Sequence, residues 1–143
     1  MSEPLALIIE DEADLSEIFS QALRAAGFAT EVAGDGRQAL ERLASLVPDV
    51  VVLDLHLPHV DGDDLLHRIR ADERLAGTRV IIASADPLMA EALDGLVDLV
   101  LIKPVSFVQL RDLSRRLKLT IDEPSLAGSS SDGSSSDEPG GPS

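Results

Sequence analysis

The chain has 143 residues, a length that suits one domain with one core, and 44% of them are apolar. A net charge of −14 argues against binding to nucleic-acid backbones, and three Phe with no Trp or Tyr leave an aliphatic core and no platform for stacked bases. The absence of Cys excludes disulfides, thiolate zinc sites and cysteine nucleophiles.

Short apolar runs alternate with segments of helical period along the chain. Leu5–Ile9 reads as a buried strand; it is too short for a signal peptide or a membrane span, which predicts a cytoplasmic protein. Ala13–Ala26 reads as a helix with Leu15, Ile18, Phe19, Ala22 and Leu23 on one face, stopped by Gly27. Phe28–Val32 is a second strand, Asp35-Gly36 a turn, and Arg37–Leu46 a helix carrying Ala39, Leu40, Leu43 and Leu46 inward. After the break at Pro48-Asp49 come a third strand, Val50–Leu53, a loop, Pro58–Gly62, and a helix, Asp64–Ala71, with Leu65, Leu66 and Ile69 as its stripe. Arg79–Ala83 is a fourth strand. Pro87–Leu93 is a short helix capped by Asp86, Leu99–Ile102 a fifth strand, and Phe107 to about Leu119 a last helix capped by Ser106.

Five strands alternating with five helices predict an α/β fold. The first and third strands are apolar at nearly every position, the mark of a parallel sheet buried on both faces. The folded domain spans 4–121. Residues 122–143 hold five acidic residues and no basic one among Ser, Gly and Pro, and read as a disordered tail or linker; nine negative charges then remain on the folded part.

Open sheets of this class place their sites at the carboxyl ends of strands. Here the first strand ends in Glu10-Asp11-Glu12, the third in Asp54, the fourth in Ser84 and the fifth in Lys103-Pro104. Two carboxylates about 5 Å apart at an effective dielectric near 20 repel by roughly 3 kcal/mol, so Glu10, Asp11 and Asp54 together call for cations. Lys103 supplies one charge, and Mg²⁺ suits a site of few carboxylates, waters and phosphate oxygens. Such a pocket is prepared for phosphoryl transfer, with Asp54 as nucleophile, Lys103 and the metal neutralising phosphoryl oxygens, and the Ser84 hydroxyl and Ala85 amide as donors to them. Glu12 reads as a helix N-terminal charge, Asp86 as a helix cap, and His56, His59 and His67 as solvated histidines rather than metal ligands.

These strand ends, Ile8-Ile9-Glu10-Asp11-Glu12, Leu53-Asp54-Leu55-His56-Leu57-Pro58 with Asp61-Gly62, Ile82-Ala83-Ser84-Ala85 and Lys103-Pro104, resemble those of the receiver domain of two-component response regulators, chemotaxis regulators among them. Each motif alone is weak, but all four in order, each at a strand end, are specific. The resemblance covers about residues 4–119. It implies a flavodoxin-like, doubly wound (βα)5 fold with strand order 2-1-3-4-5. Asp54 would be the phosphoacceptor, Glu10 and Asp11 the acidic pair (Asp11 binding Mg²⁺ directly, Glu10 through water), and the His56 carbonyl a backbone metal ligand. Ser84 would be the switch hydroxyl, Lys103 the phosphate-binding lysine, and the Lys103–Pro104 peptide cis. The chain departs from the family at Val100, where many members have an aromatic, and in the short stretch from Ser84 to Lys103, which implies a reduced fourth helix.

The function implied is acceptance of a phosphoryl group from a sensor histidine kinase or histidine phosphotransfer protein. An output surface, or a homodimer, would form on the fourth helix, fifth strand and fifth helix. Self-phosphorylation and slow self-dephosphorylation would be the only catalysis. The alternative is a receiver-like interaction module that no longer switches, with Leu110, Leu113 and Leu117 of the last helix as its docking face unless they are core. A phosphatase using an aspartate nucleophile is disfavoured, because such enzymes commonly place an acid two residues after the nucleophile, where this chain has His56.

Overall fold

The computed structural model of the chain describes residues 3–57 and 61–122. The expected disordered tail beyond residue 122, and His59 with the first residues of the Pro58–Gly62 loop, lie outside the described residues. The strands are β1 (Leu5–Ile9), β2 (Ala29–Ala33), β3 (Val50–Asp54), β4 (Arg79–Ser84) and β5 (Leu99–Ile102). The helices are α1 (Ala13–Ala25), α2 (Gly36–Ser45), α3 (Gly62–Ala71), α4 (Pro87–Ala92) and α5 (Phe107–Asp122), with 3-10 turns at Glu73–Leu75 and Asp94–Leu96. The sheet is parallel throughout, in the order β2-β1-β3-β4-β5. This is the predicted flavodoxin-like order.

The apolar runs are continuous because the sheet has two covered faces. Leu7 and Ile9, Val51 and Leu53, and Val80 and Ile82 enter one core with Leu43 of α2, Leu65, Leu66 and Ile69 of α3 and Ala90 of α4. Ala6 and Ile8, Val50 and Val52, and Ile81 and Ala83 enter the other, with Phe19, Ala22 and Leu23 of α1 and Leu110 of α5. Alternate residues of one strand thus feed opposite layers. Leu113 and Leu117 pack against the second core, so the docking face suggested for α5 is in fact core.

Several boundaries differ from expectation for local reasons. Phe28 lies before β2, in the turn that closes α1. Gly27, at φ 103°, takes the left-handed turn, its N–H donating to the Arg24 carbonyl while that of Phe28 donates to Leu23, both at 3.0 Å. Ile18 sits at the edge of the α1 stripe and stays 38% exposed instead of joining the core. α3 begins at Gly62, two residues early, and α5 continues to Asp122. Asp86 does cap α4, its Oδ1 accepting from Leu88 and Met89, and Ser106 caps α5 by accepting from Gln109. α4 is only six residues long, as the short Ser84–Lys103 stretch implies.

Ile81, fully buried in β4 between β3 and β5, tests the two-layer core. Ile81→Ala is expected to lower unfolding stability by about 2–5 kcal/mol in urea titrations followed by circular dichroism.

Candidate functional site

Strand register brings the polar groups to one edge. Ile9 pairs with Leu53, so Glu10 lies level with Asp54, and Asp54 pairs with Ala83, one residue before Ser84. Ser84 pairs with Ile102, and the Lys103 N–H donates to the Ser84 carbonyl at 2.9 Å. The next residue on each strand would enter a core layer if the sheet continued. β1, β3, β4 and β5 instead end at this edge, at Ile9, Asp54, Ser84 and Ile102.

Glu10 and Asp54 are each 2% exposed, whereas Asp11 is exposed. One carboxylate oxygen from each of Glu10, Asp11 and Asp54 falls in a group whose members all lie within 4.8 Å of one another. The Lys103 Nζ stands 3.2 Å from Asp54 Oδ1 and 3.9 Å from Glu10 Oε1. The His56 N–H donates to Asp54 Oδ1 at 2.9 Å, so that oxygen is held from two sides. Glu10 Oε2 accepts the Glu12 N–H at 3.3 Å, while Oε1 is buried without a hydrogen bond. The peptide between Lys103 and Pro104 is cis.

The donor set fits a hard divalent cation. It is all oxygen, it carries more negative charge than one ammonium balances, and it leaves a buried carboxylate oxygen unsatisfied. Among the described residues no histidine joins it; His56 and His67 are exposed, and the His67 ring contacts the Asp63 carbonyl. An open depression of about 480 Å³ beside the cluster is lined by Asp11, His56, Asp61, Asp63 and Met89 among others. The more apolar cavity under Leu40, Leu43, Ile69 and Leu75 holds no group of the cluster.

Glu10 departs furthest from ordinary behaviour. Burial, then the charge of Asp54, pushes its carboxyl up from 4.5 to about 7, against the opposing pull of the Glu12 N–H and Lys103.

Ser84 is placed differently from the simplest reading. It is fully buried at the end of β4, but its hydroxyl is turned into its own loop. The oxygen accepts the Asp86 N–H at 3.0 Å and the hydroxyl donates to the Asp86 carbonyl at 3.3 Å. A bond to a group on Asp54 requires it to exchange these partners. The pattern Ser84-Ala85-Asp86-Pro87 carried the signal for such a turn. The His56 amide bond to Asp54 had no sequence signal, because backbone donors are invisible there. Glu12 flanks α1 without capping it by its side chain.

A doubly wound parallel domain with an acidic cluster and a lysine at its strand ends defines a class of phosphate-handling α/β proteins. The pattern described as "Response regulator receiver domain" matches residues 6–115, and the chain belongs to this family. Its members take up a phosphoryl group on an aspartate from histidine kinases, and they are generally not classical enzymes. The chain is 37% identical over 122 residues to the DNA-binding response regulator MtrA of Mycolicibacterium paratuberculosis, a match over 82% of this chain and 53% of that protein. It is 34% identical to part of the sensor histidine kinase TmoS of Ectopseudomonas mendocina, a match over 76% of this chain and 11% of the kinase. The chain therefore spans about half the length of the regulator, and far less of the kinase. The receiver domain of Francisella response regulator 1452 superposes with a TM-score of 0.73 at 30% identity, over 82% of this chain and 98% of that one. A CheY-like receiver domain from Methylobacillus flagellatus gives 0.73 at 26% identity, over 81% and 99%. Among the described residues no helix is long and apolar enough to cross a membrane.

A carboxyl whose pKa rises on folding holds its proton more tightly folded than unfolded. Glu10 therefore supports the fold at acid pH and opposes it as pH climbs from about 4.5 through about 7. Without divalent cation, the stability of the wild type is expected to fall across that window relative to Glu10→Gln. Chemical denaturation at a series of pH values with a chelator measures the difference.

Proposed function

We propose that Asp54 is the phosphoacceptor of this receiver. The carrying observation is the Asp54 carboxylate, buried and 3.2 Å from the Lys103 ammonium, with Glu10 and Asp11 beside it. The donor is a phosphohistidine of a sensor kinase or phosphotransfer protein. An Asp54 oxygen attacks phosphorus, an O–P bond forms as the N–P bond breaks, and the electron pair returns to the imidazole nitrogen. Lys103 stabilises charge on the transferring oxygens. Asp11, Asp54 and the His56 carbonyl would hold Mg²⁺ directly, and Glu10 through water. When bound, Mg²⁺ supplies two positive charges to the phosphoryl oxygens. The same residues account for phosphorylation by a small phosphoryl donor and for slow hydrolysis by water.

The reading extends to the output. Ser84 leaves Asp86 to bond a phosphoryl oxygen, and Asp86 caps α4 through Leu88 and Met89, so the exchange reaches the first turn of that helix. With Val100 at the usual aromatic position, this link does not depend on a rotating ring. Exposed Leu88 of α4, Ile102 of β5 and Val108 of α5 supply apolar surface for a partner or a second copy. The cytoplasmic location and the 4–121 domain boundary remain part of this reading. A non-switching interaction module is the second reading, favoured by the six-residue α4 and by Val100.

Acetyl phosphate with Mg²⁺ is expected to add one phosphoryl mass to the wild type and none to Asp54→Ala, as read by intact-protein mass spectrometry. An unchanged wild-type mass overturns the assignment. Ser84→Ala should still be phosphorylated, but should lose the change in amide exchange across residues 86–92 that phosphorylation brings to the wild type. Phosphorylation with no such change in the wild type supports the second reading.

A further inference from the structure

The Asp54 loop is held by a contact that the site's chemistry does not by itself require. Leu55 follows Asp54 and is 4% exposed. Its N–H donates to the Ala83 carbonyl of β4 at 3.2 Å, and its carbonyl accepts the Gly62 N–H from the start of α3 at 3.3 Å. The backbone between Asp54 and His56 is thus gripped by the sheet on one side and by α3 on the other. The grip is close. A Cβ at Gly62 would lie 2.5 Å from Leu55 Cα, 2.7 Å from its carbonyl oxygen and 2.9 Å from its carbonyl carbon. These are backbone atoms, so no rotamer change relieves them. Gly62 has no left-handed backbone; the glycine is needed for approach, not for torsion.

We propose that Gly62 is a positioning residue for the cation site: by letting α3 press directly on the Leu55 peptide, it fixes the depth of the Asp54 carboxylate and the His56 carbonyl. This rests on the reading above, in which both groups bind Mg²⁺. A methyl at Gly62 has to push the Leu55 backbone away from α3. The shift passes along one peptide to His56, whose N–H also restrains Asp54 Oδ1. Leu53 and Leu65, like Leu55 itself, belong to the core beneath. The expected loss is therefore of cation affinity first, on the scale seen when groups behind metal ligands are removed, ~10–100-fold.

The test is Mg²⁺ titration of the full chain by calorimetry and by amide shifts of ¹⁵N-labelled protein, for the wild type, Gly62→Ala and Gly77→Ala. Gly77 has no atom within 4 Å of where its Cβ would stand and serves as the neutral control. Expected is a Kd raised at least about tenfold in Gly62→Ala, with dispersed core amide shifts retained, and no change in Gly77→Ala. A folded Gly62→Ala with the wild-type Kd overturns the proposal. The wild type provides an arm independent of the variant's folding, because coupling is reciprocal: saturating Mg²⁺ should slow hydrogen exchange at the Gly62 amide. An exchange rate there unchanged by Mg²⁺ also overturns it. Failure of the wild type to bind Mg²⁺ at all overturns the underlying reading of the site, a result distinct from either of these.

Discussion

The site depends on one electrostatic constraint. Glu10 and Asp54 are buried side by side, and the Lys103 ammonium is the cation set between them. Buried charge of one sign is tolerated only when it is paired or neutralised by a proton. Burial first, and then the Asp54 charge, raise the pKa of Glu10, and the ammonium at 3.2 Å from Asp54 and 3.9 Å from Glu10 opposes this only in part. A site left in that condition gains from anything that brings positive charge.

The fold exists, in this sense, to hold three strand ends level. β1, β3 and β4 are buried on both faces, so their backbones are fixed by packing from above and below. The segments that follow β3 and β5 are tied across the sheet and to α3: Leu55 to Ala83 and Gly62, and Lys103 to Ser84. The rigid part carries the acids and the lysine. The loop from Ser84 into α4 is held by local hydrogen bonds alone, and the helix it enters is short.

Much of this was legible in the residues. Unbroken aliphatic runs such as Val50-Val51-Val52-Leu53 can only be strands covered twice, and a polar group closing each run marks the edge. Gly27, Asp86 and Ser106 announced helix ends because their roles are local. What stayed hidden was whatever tertiary contact decides. Ile18 fits the apolar period of α1 but lies where its neighbours leave it 38% exposed. The Leu residues of α5 read as core sooner than as a docking surface, and the packing of α1 against α5 makes them core. The sequence places Ser84 at the end of β4 but does not say which way its hydroxyl is turned, because its bonds to Asp86 depend on a side-chain rotamer.

The doubly covered strands carry one more consequence. In a strand with a wet face, sliding by one residue throws every greasy side chain into water, and the pattern itself forbids the error. β1 and β3 lack that safeguard, since both of their faces are oily and a shifted pairing would still look acceptable to the core. What forbids it is the acid at each terminus: slippage inward would drag Glu10 or Asp54 between aliphatic layers with no ammonium in reach. The carboxylates of the pocket thus double as stops that keep the sheet in frame.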